Sequence, residues 1–87
     1  MFVLLFYDVG EKRVAKILKT CRRYLTWVQN SVFEGELSPA LLVQLRKDLE
    51  KILSPESDSV IIYTWRMERY TERTIIGVEK GRVDSFI

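Results

Sequence analysis

The chain has 87 residues, 47% of them apolar and 30% charged, with 14 Lys and Arg against 12 Asp and Glu for a net charge of +2. This is one ordinary globular domain, small enough to bury only about 60–65% of the surface its unfolded chain exposes, so pairing with a second copy is a natural route to stability. With no histidine and a single cysteine, Cys21, the sequence excludes a disulfide framework, Cys/His zinc sites and Ser-His-Asp or Cys-His catalysis; a metal would have to be held by carboxylate, carbonyl and water oxygens, which suits Mg²⁺ or Mn²⁺.

Residues 2–7, Phe-Val-Leu-Leu-Phe-Tyr, form an apolar run of strand length with the aromatic and β-branched content of a strand covered on both faces, and Asp8 closes it. From 11 to 24 the period changes. Val14, Ile17, Leu18, Cys21 and Leu25 recur every three or four positions, with Lys12, Arg13, Lys16, Lys19, Arg22 and Arg23 between them, which predicts an amphipathic helix with a basic outer face. Cys21 lies on the apolar stripe and reads as a core residue, with a reactive thiol as the alternative. Residues 26–29 and 31–37 predict two short strands or one kinked strand, broken at Gln29-Asn30, with Gly35 marking a bulge or a close backbone approach. Ser38-Pro39 starts a second helix, serine as N-cap and proline at the first helical position. Leu42, Leu45, Leu49, Ile52 and Leu53 form its buried stripe, and it stops before Pro55. Residues 60–65 predict a second central strand, followed by a charged connection over 66–72, a strand over 73–78, a turn at 79–81 and a last strand-like stretch over 82–87.

The order is β-α-β-β-α-β with one strand to spare, the split βαβ pattern of an α+β domain. The sheet is expected to be complete at Val78, making 1–78 the core and leaving the strand in 79–87 to find an edge, in its own domain or in a second copy. No apolar run approaches the ~20 residues of a membrane span and no leader is evident, so a cytoplasmic, non-membrane protein is expected.

Asp8 is the first candidate for chemistry. A carboxylate at the end of a buried strand can bind a divalent cation, or it can cap the helix that follows. One carboxylate is few for a phosphodiesterase site, but a two-fold dimer would supply Asp8 twice. The basic helix face, Lys12, Arg13, Lys16, Lys19, Arg22 and Arg23, with Arg66 and Arg69 later, reads either as solvated surface or as phosphate contacts without sequence readout. Tyr7, Trp27, Phe33, Tyr63 and Trp65 read mostly as core, and no RRM-type aromatic signature is present. A small-molecule regulatory domain would suit the fold, but no Gly-rich ligand loop supports it.

Three stretches, Phe6-Tyr7-Asp8-Val9, Gln29-Asn30-Ser31-Val32-Phe33-Glu34-Gly35-Glu36-Leu37 and Asp58-Ser59-Val60-Ile61-Ile62-Tyr63, closely resemble the Cas-two family, the smaller of the two core CRISPR adaptation proteins. The resemblance covers nearly the whole chain in the same order. It implies a ferredoxin-like homodimer whose C-terminal strands complete the partner's sheet, with a metal ion, usually magnesium, between the two copies of Asp8. It also implies two roles: metal-dependent endonuclease cleavage of RNA or double-stranded DNA, and a non-catalytic DNA-binding bridge for the CRISPR integrase (Cas-one) during capture of foreign DNA. Tyr7, Asp8, Arg13 and Phe33 fall on positions that the family links to activity. Glu11 and Trp27 stand where some nuclease-active members carry arginine. A basic group lost near a scissile phosphate removes transition-state stabilisation, which favours the bridging role.

Overall fold

A computed structural model describes residues 1–81. Strand β1 (Phe2–Asp8) leads into helix α1 (Glu11–Arg22), a hairpin of β2 (Thr26–Gln29) and β3 (Val32–Glu36), helix α2 (Pro39–Glu50) and strand β4 (Ser59–Trp65). One 3₁₀ turn (Glu68–Tyr70) follows. The sheet order is β2-β3-β1-β4, and every neighbouring pair is antiparallel. Each helix therefore joins two parallel strands with a third strand between them: two interleaved split βαβ units, the ferredoxin-like arrangement.

The core follows from strand alternation. Val3, Leu5 and Tyr7 of β1 and Phe33 of β3 point to one face, where they meet Ile17 and Cys21 of α1 and Leu45 and Leu49 of α2. Ser38 caps α2, its Oγ accepting from the Leu41 amide at 3.2 Å, and Pro39 opens the helix. Asn30, at φ 44°, makes the tight turn between β2 and β3, and the Trp27 indole donates to its carbonyl at 2.9 Å. Gly35 is a close approach: a Cβ there would lie 3.2 Å from the Leu25 side chain. The bulge lies in β2 instead, between Trp27 and Gln29.

Two expectations are corrected. β1 is covered by helices on one face only. Leu4, Phe6, Ile61, Tyr63 and Trp65 form an open apolar face, with Ile61 and Tyr63 each 52% exposed. The sheet is also complete at Trp65 rather than at Val78, because β2 and β3 count as two strands, and residues 73–78 form no strand. That segment has β-branched content but pairs with neither edge strand of the sheet, β2 or β4. Arg73 ties it instead to Glu34 on the open face at 2.5 Å and to Glu79 at 2.8 Å. Residues 70–76 thus roof a pocket of about 420 Å³ over Phe2, Leu4 and Trp65. The strand expected over 82–87 lies outside the described residues, and 79–81 are not in a strand.

Candidate functional site

Asp8 is the last residue of β1, opposite Ser59 at the start of β4. Its side chain is exposed, and alternation places it on the open face in line with Leu4 and Phe6. Tyr7, the neighbouring residue, points the other way. It is buried and stacks on Phe33 with ring centroids 6.3 Å apart, and Phe33 has no exposed surface. Burial pushes the Tyr7 hydroxyl above its ordinary pKa. The structure therefore brings Tyr7 and Phe33 together, but beneath the sheet, while Asp8 stands above it.

Asp8 does not cap the helix that follows. The N-cap of α1 is Gly10, which has no side chain to offer, and the carboxylate at this helix start comes from Asp58, 48 residues away in sequence. Asp58 Oδ1 accepts from the Gly10 amide at 2.8 Å and from Arg13 Nη2 at 2.9 Å. Asp58 Oδ2 accepts from Arg13 Nε and from the Ser54 amide, the latter at 2.9 Å. The negative charge also suits the positive end of the α1 dipole. The Asp58 side chain is fully buried and Arg13 is 27% exposed. Sequence reasoning missed Asp58 as the partner of this turn. The signal was topological: β1 and β4 are antiparallel neighbours, so the residue entering β4 must lie beside the residues leaving β1.

The basic positions separate by face. Lys12, Lys16, Lys19 and Arg23 follow one exposed ridge of α1 at spacings of four, three and four, with exposed Arg22 beside it. Arg13 is not part of that ridge. Arg23 lies 3.5 Å from Asp48, which also accepts from the Tyr24 hydroxyl at 2.5 Å. Arg66 and Arg69 both sit over the ring of Tyr70, 5.6 and 5.2 Å from its centroid. Glu11 is exposed in the first turn of α1, and Trp27 is half-buried against the core. Burial pushes the Cys21 thiol up to about 12, which leaves it protonated and inert, the core reading of that residue.

Among the described residues no three His, Cys, Asp or Glu side chains converge on a possible metal position. No helix among them is long and apolar enough to cross a membrane. The family model described as CRISPR associated protein Cas2 matches residues 1–73. The chain belongs to the Cas2 family. Two relatives named CRISPR-associated endoribonuclease Cas2 align with the whole chain: one from Thermotoga maritima, 48% identical over 99% of its own length, and one from Dictyoglomus turgidum, 44% identical over all of its length. A crystal structure of a Cas2 protein superposes with a TM-score of 0.85 at 42% identity, covering 92% of this chain and 90% of that one. Cas2 from Streptococcus pyogenes, at pH 6.5, gives a TM-score of 0.71 at 34% identity, covering 85% of this chain and 99% of that one. A CRISPR role within the Cas2 family follows for this chain, on a fold shared with Cas2 structures.

Proposed function

We propose that the protein is a homodimeric endonuclease of CRISPR adaptation that cleaves RNA or double-stranded DNA with Mg²⁺ or Mn²⁺ held between two copies of Asp8. One observation carries the reading: Asp8 is exposed at the end of an open sheet face whose Ile61 and Tyr63 stand half-exposed. An apolar face of this kind calls for a cover. A second copy packed face to face would cover it and, by two-fold symmetry, present Asp8 twice. Carboxylate oxygens of that kind fit a hard divalent cation completed by water and phosphate. The two relatives are both named endoribonucleases, which supports nuclease chemistry.

A bound cation would polarise the phosphate and ease ionisation of an attacking water, a task for which the chain has no histidine. The chain's own parts do the rest. The α1 ridge of Lys12, Lys16, Lys19 and Arg23, with Arg22, holds backbone phosphates. The Tyr7–Phe33 stack sets the end of β1 from below.

A bridging role, holding DNA for the CRISPR integrase Cas-one without cleaving it, is favoured by the exposed Glu11 beside the Asp8 turn, where its charge repels phosphate. Labelled RNA and duplex DNA, incubated with wild type and Asp8→Ala in Mg²⁺ or EDTA, separate the two. Cleavage is expected from wild type in Mg²⁺ alone. Full activity in Asp8→Ala would sink the nuclease reading, and intact binding without cleavage by wild type selects the bridge.

A further inference from the structure

Arg13 lies in the first turn of α1, just after Lys12 and close behind Asp8 in sequence, and the simple expectation is that it grips a phosphate. The geometry points to a different role: we infer that Arg13 and Asp58 form a positioning pair that locks the Asp8–Gly10 turn, and that Arg13 stays on Asp58 when nucleic acid binds. The inference rests on the Asp8 reading above and deepens it.

One full edge of the Arg13 guanidinium, Nε with Nη2, is committed to the two Asp58 oxygens. This forked pairing fixes orientation as well as distance. The same carboxylate holds the Gly10 amide, two residues from Asp8, and the Ser54 amide at the end of the α2–β4 connection. Four donors from three segments thus meet on one fully buried carboxylate. Moving Arg13 out to a phosphate would take from this carboxylate two of its four hydrogen bonds, both from a charged donor. The packing is close as well: a Cβ at residue 10 would lie 2.6 Å from Arg13 Nη2, so the turn and the guanidinium fit against each other. The ridge residues Lys12 and Lys16 have no such commitment and remain exposed to phosphate.

The test uses the full chain with wild type, Arg13→Gln, Asp58→Asn and the double variant. Cleavage is measured in Mg²⁺, binding to duplex DNA is measured against salt, and NMR follows the wild-type Arg13 Nε–H on adding duplex. Mn²⁺ alone then probes the Asp8 and Gly10 amides by paramagnetic broadening. A positioning pair gives the same loss in both single variants and the double, about ten- to a hundred-fold, in kcat rather than KM. It also gives an unchanged salt slope, an Nε–H that stays in place on binding, and Mn²⁺ broadening weakened alike in both variants. A slope shallower by about 0.9 in Arg13→Gln alone, or an Nε–H that moves with duplex, makes Arg13 a phosphate contact and overturns the inference. Should the variants fail to fold, the wild-type Nε–H decides. Should wild type not cleave, the nuclease reading fails by itself, and Mn²⁺ broadening and salt slope still judge the pair.

Discussion

The Asp58 carboxyl is held well below the usual carboxylate range, first by the hydrogen bond from Arg13 and further by the Ser54 and Gly10 amides, against the opposing effect of burial. Because the folded value is depressed, the stability it contributes is fully present above the unfolded carboxylate value of about 3.9 and is lost as pH falls below it. Melting temperature against pH should therefore drop more steeply for wild type than for Asp58→Asn between about pH 5 and pH 2; parallel curves would mean the pair is not linked to folding. At this scale the sequence was readable where the signal was local. Asp8 announced itself as a charge ending an apolar run, and Tyr7 and Phe33 as aromatics in strands. Asp58 was silent because its partners, Gly10 and Arg13, lie more than 40 residues away and meet it only through the pairing of β1 with β4.

Helix α2 shows how far local chemistry reaches. Ser38, Pro39 and the leucine stripe specified its start and its buried side without reference to anything else, and the Ser38 hydroxyl makes the expected bond. Ser38→Ala should lower unfolding free energy by about 1 kcal/mol, read as a lower urea midpoint at unchanged slope. No change would mean that water serves the Leu41 amide equally well. Residues 73–78 show the opposite case. Their β-branched pattern is as strand-like as that of β4, yet a strand exists only as half of a ladder, and they pair with neither edge strand, β2 or β4. Fold class was legible because the two helices carry a helical period and β1 and β4 are apolar runs of strand length. The fate of the last segment was not, because its partner is not encoded in its own pattern.

For the molecule as a whole, the open face is the dominant unfinished surface. Tyr63→Arg would place a charge at its centre, beside Phe6 and Trp65, and should convert a dimer into a monomer in sedimentation velocity while leaving the far-UV circular dichroism intact. An unchanged dimer mass would move the interface elsewhere. The segment roofing one end of that face hangs on Arg73, paired to Glu34 and Glu79 near the surface, and such pairs contribute little once solvent screens them. Amide hydrogens should record the difference as a gradient in time. Those of β1, bonded into ladders on both sides, should exchange only when the whole domain opens, whereas those of 71–78 should exchange almost at the rate of a free peptide. Among the described residues this strap is thus the most easily released part, free to leave the sheet face at little cost when another surface arrives to replace it.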